Sequence, residues 1–172
     1  MHDTPTDYLS EAVRALRAYK RLAEGALAQI NDDEFLRPPD PESLSCALLV
    51  KHISGNLRSR FTDFLSSDGE KPDRHRELEF QEAPGATRPE LMRSWEESWT
   101  LLFRSLAELR PEDLERTVSI RHEPYSVLKA INVASLHYAY HIGQIVYLAK
   151  RFRGAAWKSL SVPKPGQEKY QP

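Results

Sequence analysis

The sequence predicts an all-α protein, and more closely a four-helix bundle. Four segments repeat apolar residues with the 3.6-residue period of an α-helix, and proline-rich or polar segments separate them. A chain of 172 residues is long enough to bury a core of its own. We therefore expect a single domain over residues 1–172, in which the proline-rich residues 157–172 form an extended C-terminal tail.

The first predicted helix begins near Thr6 and ends near the acidic stretch 32–34. One side of it carries apolar residues at helical spacing, namely Leu9, Ala12, Leu16, Tyr19, Ala23, Ala26 and Ile30. Three prolines within residues 38–41 then break the chain, because proline lacks the N–H that a helix interior needs.

The second predicted helix runs from about Leu44 to Ser66, with Ser43 as its N-cap. Two polar residues stand in its apolar stripe, which consists of Leu48, Leu49, His52, Ile53, Asn56, Leu57, Phe61 and Phe64. Leucine or isoleucine is the ordinary choice at such positions, so His52 points to a role beyond packing.

The third predicted helix begins with a capping box formed by Thr87 and Glu90, and it ends at Pro111. Its stripe contains Leu91, Trp95, Trp99, Leu102 and Leu106. The segment TVSIRHEPYS (117–126) follows and is expected to form a short extended piece.

The fourth predicted helix runs from about Tyr125 to Phe152. It carries two adjacent apolar stripes, the first with Ala130, Ala134, His137, His141, Ile145, Leu148 and Phe152, the second with Ile131, Tyr138, Ile142 and Val146. A helix that is apolar over so much of its circumference is either central or faces a second subunit as well as its own bundle.

The connection between the second and third helices spans about 20 residues (67–86), which is long for a compact domain. Connections of this length usually cross the bundle or serve a function. If this one crosses, the second and third helices run parallel and the order is up-down-down-up.

Composition argues against several classes of partner. With 24 basic and 25 acidic residues the formal net charge is −1, so we expect neither nucleic acid nor an anionic membrane as a partner. The chain has no apolar run near 18 residues and no secretory signal at its start, which predicts a cytoplasmic protein. The single cysteine, Cys46, lies in an apolar run and is expected to pack as a small hydrophobe, with a reactive thiol as the alternative.

Three of the six histidines occupy inward positions of predicted helices. His137 and His141 lie one turn apart on one face, and His52 lies on the inner face of the second helix. Imidazoles that converge in this way can bind one divalent ion at about 2.0–2.1 Å. The three residues are therefore candidate metal ligands.

The alternative is that these histidines are hydrogen-bonded core residues. The spacing alone is weak evidence, since random placement yields about 0.2 HxxxH pairs in a chain of this composition. Three inward imidazoles are harder to accommodate, because each one left without a partner costs about 1–3 kcal/mol. A shared ion provides that partner for all three, so the pattern favours a metal site.

Polar neighbours of the histidines are candidates for a supporting role. Asn56, one turn from His52, and Gln144, three residues after His141, can orient a ring or a bound water, although ordinary helix-flank polarity explains them equally well. Arg60 can bind an anionic substrate, with a solvated position or a salt bridge to Asp63 as the alternative.

Three stretches carry a resemblance to a known family: KHISGNLRSRFTDFLSSDGEKP (51–72), LHYAYHIGQIVYLAK (136–150) and WKSLSVPKPGQ (157–167). In them the chain resembles the DinB-like superfamily and, within it, the DUF1572 group, with HxxxHxGQ as the most diagnostic pattern. The resemblance implies a four-helix bundle in up-down-down-up order that is often dimeric. It also implies a metal bound by His52, His137 and His141.

Three neutral imidazoles leave the charge of an ion available to water, a thiol or a carbonyl. Zn²⁺ fits such a site best, and Ni²⁺, Fe²⁺ or Co²⁺ also suit imidazole. The DinB-like superfamily includes thiol-dependent isomerases, thiol S-transferases and proteins treated as metal-dependent hydrolases. The resemblance therefore implies a small-molecule substrate, with a low-molecular-weight thiol as a candidate co-substrate.

We expect a metal-dependent enzyme of the thiol S-transferase or hydrolase type. The chain has no GxSxG, P-loop or GxGxxG motif, so catalysis would rest on the metal, and no catalytic side chain is assigned. The alternative is a non-catalytic, metal-binding, stress-associated module that forms a homodimer through the fourth helix.

Overall fold

The computed structural model of the chain describes residues 4–82 and 85–171. Within these residues the fold is mostly helical, which confirms the predicted class, and it adds one small antiparallel sheet. The elements are α1 (Thr4–Leu27), α2 (Asp32–Leu36), α3 (Cys46–Phe61), α4 (Arg88–Ala107), β1 (Thr117–Ile120), β2 (Glu123–Ser126) and α5 (Val127–Arg153). Short 3₁₀ turns cover Arg76–Phe80, Pro111–Glu115 and Gly154–Ala156.

The long helices α3 and α4 lie side by side and run in the same direction. Arg58 on α3 donates a hydrogen bond to Ser94 on α4, and further along both helices Ser105 donates to the carbonyl of Phe61. The 26-residue segment between these helices (62–87) must therefore return to the starting end of α3. We call it the crossover segment.

The helices α1 and α5 form a second parallel pair. Tyr8 donates to Asn132 near the start of α5, and Gln29 donates to the carbonyl of Lys158 just beyond its end. All four long helices meet in one core, whose largest buried side chains include Trp95 and Trp99 of α4, at 5.4 Å between ring centroids, and Tyr138 of α5.

Both ends of α3 differ from the prediction. The predicted N-cap Ser43 is wrong, because Ser45 accepts the N–H of Leu48, whereas the Ser43 hydroxyl donates to Asp40. The helix ends at Phe61, not near Ser66, since the chain becomes extended at Thr62 and Asp63 takes φ 47°. The predicted helix was too long because Phe64 fits the apolar stripe of the helix. Phe64 is indeed buried, but it lies outside the helix.

The acidic stretch 32–34 begins a short helix of its own. Asn31 caps α2 by accepting the N–H of Glu34, whose carboxylate accepts the N–H of Asn31 in return. This reciprocal pair is a capping box, and it allows α2 to bury Phe35 completely. The first helix consequently ends at Leu27, five residues before the acidic stretch where its end was predicted.

The expected extended piece at 117–126 is confirmed as the hairpin of β1 and β2. Its turn residues Arg121 and His122 have backbone φ angles of 55° and 64°, which residues other than glycine rarely adopt. The Asp68 carboxylate from the crossover segment accepts the N–H of Arg121 at 2.9 Å and of His122 at 2.8 Å. These bonds hold the turn in place and tie the crossover segment to the hairpin.

The residues after α5 pack back onto α1. Trp157 is buried, and a Cβ placed on Gly25 would lie 2.9 Å from the Leu160 side chain and 3.4 Å from the Tyr170 ring. Gly25 therefore permits this close approach. Of the tail predicted over 157–172, residue 172 lies outside the described residues.

In the part of the chain that the structure describes, no helix combines the length and apolarity needed to cross a membrane.

Candidate metal centre

The helices α3 and α5 place three histidines together. His52 is only 2% exposed and faces His137 and His141, which lie one turn apart on α5. One ring nitrogen from each lies within 4.8 Å of the others, and the Nε2 atoms of His52 and His137 are 3.1 Å apart. Two imidazoles bound to one ion at about 2.0–2.1 Å hold their nitrogens roughly 3.3 Å apart in a tetrahedral arrangement. The observed spacing is close to that of shared ligation.

Burial keeps two of these imidazoles neutral. The pKa of His137 falls to about 3, chiefly because burial penalises the imidazolium and further because His141 and His52 are close. Burial and then the proximity of His52 also lower the pKa of His141, although its hydrogen bond to Gln144 opposes the shift. Neutral imidazole is the form of histidine that binds a metal ion.

Hydrogen bonds at Nδ1 direct two of the rings. The Nδ1 of His141 lies 2.7 Å from Oε1 of Gln144, and the Nδ1 of His52 lies 2.7 Å from Oε2 of Glu79. An Nδ1–H that donates in this way leaves the Nε2 lone pair free for a metal. Nδ1 of His137 is buried without a partner among the described residues. The set of three Nε2 donors therefore fits a divalent ion.

Glu79 belongs to the site although the sequence pattern does not predict it. It lies in the 3₁₀ turn Arg76–Phe80 of the crossover segment and is 7% exposed. Arg74 donates to its two carboxylate oxygens at 2.8 and 2.9 Å. Burial raises the pKa of Glu79, but the hydrogen bonds from His52 and Arg74 outweigh it and bring the pKa below the ordinary value. The length of the crossover segment is the one sequence feature that points to a function there.

Asn56 and Arg60, which the sequence suggested as supporting residues, lie near the cluster but contact residues other than the histidines. Asn56 accepts a hydrogen bond from the buried hydroxyl of Tyr138 at 3.0 Å, and none from a histidine among the described residues. Arg60 lies 3.9 Å from Glu70, not paired with Asp63, and its charge contributes to the low pKa of His137. Asn56 thus braces α3 against α5, while Arg60 places a cation beside the cluster.

A cavity of about 800 Å³ lies between α3, α4 and the crossover segment. Arg74 and Glu79 form part of its wall, together with the cationic side chains of Lys51, Arg58 and Lys71. The three histidines do not line it, because Glu79 stands between the cavity and His52.

Cys46 does not take part in the cluster. Burial raises the pKa of its thiol to about 12, so the thiol stays protonated at neutral pH. This agrees with the expected packing role and not with a reactive nucleophile.

The geometry defines a mostly helical protein with a buried cluster of three histidines between two of its helices. A family model described as a protein of unknown function (DUF1572) matches residues 3–166, and the chain belongs to that family. No curated protein matches the chain.

Removal of the Tyr138 hydroxyl tests the bracing role of Asn56. The variant Tyr138→Phe leaves the buried Asn56 carbonyl oxygen unpaired, so we expect the free energy of unfolding to fall by about 1–3 kcal/mol in urea titrations. The matched control is Tyr140→Phe, whose side chain is 65% exposed and should change stability by less than about 0.5 kcal/mol. Equal stabilities for the two variants would show that this hydrogen bond does not brace the helices.

Proposed function

We propose that this protein is a DinB-like, metal-dependent enzyme of the cytoplasm that acts on a small molecule by thiol S-transfer or hydrolysis. The observation that carries the proposal is the number of donors. Three imidazoles converge, and no fourth histidine, cysteine or carboxylate joins them among the described residues. A divalent ion held by these three donors, with Zn²⁺ as the best fit, would keep a coordination position for substrate or water.

The proposed fold is a four-helix bundle in up-down-down-up order, formed as a single domain. The parallel pairs α1 with α5 and α3 with α4 support this order. The order also requires that α1 and α4 run in opposite directions. Arg88 at the start of α4 donates to the carbonyls of Leu27 and Ile30 at the end of α1, as expected for antiparallel helices.

The ion would supply a cationic centre that favours a thiolate over a thiol, or hydroxide over water. The chain's own contribution is to hold the ligands in place: Gln144 and Glu79 fix the rings of His141 and His52. In thiol S-transfer a sulfur–carbon bond forms at the electrophile, the bond from that carbon to its leaving group breaks, and the thiol proton leaves with that group. Hydrolysis makes and breaks the corresponding bonds with water.

A second candidate is a non-catalytic, metal-binding, stress-associated module that forms a homodimer. The observation that favours it is the outer face of α5, where four large side chains are exposed, namely Val133, Leu136, Tyr140 and Tyr147. No charged residue occurs between positions 133 and 147. A second copy would present the same uncharged helix face across a two-fold axis, and interface centres are depleted of charge in this way.

The metal proposal is tested by metal analysis of protein purified without chelators or nickel affinity. We expect about one divalent ion per chain in the wild type, and a loss of roughly tenfold or more in His137→Ala because a ligand is missing. His75→Ala is the control, since the side chain of His75 is 68% exposed in the crossover segment. Wild-type protein without metal, or a His137→Ala variant with undiminished metal, would refute the site.

The reaction is tested with the metal-loaded enzyme and a low-molecular-weight thiol (glutathione, bacillithiol or mycothiol) plus an electrophile. Thiol S-transfer predicts that the thioether appears at a rate that falls at least tenfold in His137→Ala. Hydrolysis predicts product without thiol. Turnover in neither assay by a fully metal-loaded protein would favour the non-catalytic module.

Sedimentation velocity tests the proposed homodimer. The variant Leu136→Glu places a charge at the centre of the outer face of α5, where 72% of the leucine is exposed, and should shift a wild-type dimer to monomer. Val162→Glu is the control because Val162 is an equally apolar, 88% exposed residue of the tail. A monomeric wild type, or a dimer that survives Leu136→Glu, would contradict this interface.

A further inference from the structure

The crossover segment reaches the histidine cluster through its 3₁₀ turn Arg76–Phe80. Glu79 is the acceptor for Nδ1 of His52, and the next residue, Phe80, packs its ring 4.5 Å from the His52 ring. The Lys51 side chain binds the carbonyls of Leu78 and Gln81, which lie on either side of Glu79. The order of this turn and the orientation of His52 therefore depend on the same set of contacts.

Glu79 reaches His52 only because Gly55 has no side chain. A Cβ placed on Gly55 would lie 2.2 Å from Oε1 and 2.8 Å from Cδ of Glu79, far inside van der Waals contact. Gly55 lies in the interior of α3, where glycine costs about 1 kcal/mol relative to alanine. The space it leaves is occupied by the carboxylate that orients a histidine.

Arg74 holds the carboxylate from the other side. Its guanidinium donates to both oxygens of Glu79 and to Glu70 at 3.0 Å, and its side chain is 5% exposed. A buried ion pair of this kind costs desolvation and gives little net stability by itself. A role in orienting His52 toward a metal would explain why this buried ion pair is present.

We propose that Glu79 is a positioning residue for His52, and that it couples metal occupancy of the cluster to the order of the crossover segment. This inference rests on the metal site proposed above. Donation of Nδ1–H to a carboxylate fixes the tautomer and raises the basicity of Nε2, so a displaced Glu79 weakens metal binding. By linkage, a bound ion stabilises the placement of Glu79 by the same factor.

The test uses Gly55→Ala, which displaces the Glu79 carboxylate without removing any donor. We expect its Zn²⁺ affinity, measured by competition with a chromophoric chelator, to fall about 10- to 100-fold. The matched control is Gly143→Ala, another helical glycine, whose added Cβ meets nothing within 4 Å. It should bind Zn²⁺ as the wild type does.

Limited proteolysis tests whether metal binding and the order of the crossover segment are coupled, and it needs no assay of enzymatic activity. Trypsin can cut after Arg74, whose side chain is 5% exposed, only when the crossover segment opens, so Zn²⁺ should slow this cut in the wild type and in Gly143→Ala. In Gly55→Ala the rates with and without Zn²⁺ should be equal within about twofold, because the link through Glu79 is broken.

Glu79→Gln keeps the proposal testable if Gly55→Ala fails to fold. It preserves the shape of the side chain but removes the charge, and we expect a roughly tenfold weaker affinity for Zn²⁺. Unchanged Zn²⁺ affinity in folded Gly55→Ala and Glu79→Gln would overturn the positioning role alone. So would a rate of tryptic cleavage of the wild type that does not change when Zn²⁺ is added. A wild type that binds no Zn²⁺ would overturn the proposed function as well.

Discussion

The candidate site depends on the close packing of three imidazoles between α3 and α5. A buried imidazole without partners costs about 1–3 kcal/mol, and here three of them share one site. Glu79 and Gln144 satisfy the Nδ1 atoms of two rings, which leaves the Nε2 atoms directed at one another. Two lone pairs only 3.1 Å apart repel unless a proton or a cation lies between them. A proton between the two nitrogens satisfies this pair alone, whereas a cation would serve all three rings, as the proposed metal site requires.

The crossover segment follows from the parallel arrangement of α3 and α4. A connection that must return along the full length of a helix is long, and a long segment needs anchors of its own. Asp68 provides the first anchor by binding the turn of the β1–β2 hairpin, and Glu79 provides the second by binding His52 and Arg74. Each anchor is a buried or partly buried carboxylate that accepts several hydrogen bonds. The return path thus places an acidic residue beside a histidine.

The period of the apolar residues predicted the long helices and the residues that face the core. The long helices and the inward phase of His52, His137 and His141 follow from helical spacing. The ends of α3 did not, because Ser43 and Ser45 are equally good caps in sequence and only the backbone decides between them. Glu79 could not be predicted, since it lies in a charged segment without a period and its role depends on an approach past Gly55, more than twenty residues away.

The charges around the cluster bear on the kind of substrate that the site would accept. Arg74 is neutralised by Glu79 and Glu70 at short distances, whereas Arg60 lies 3.9 Å from Glu70, which also binds Arg74 and Arg121. One of the guanidinium nitrogens of Arg60 is buried without a partner among the described residues. A divalent ion held by imidazoles alone would keep its own charge, and Arg60 would add a cation that Glu70 offsets only in part. Such a site favours an anion, and a thiolate or a carboxylate-bearing substrate supplies one, in agreement with the proposed chemistry.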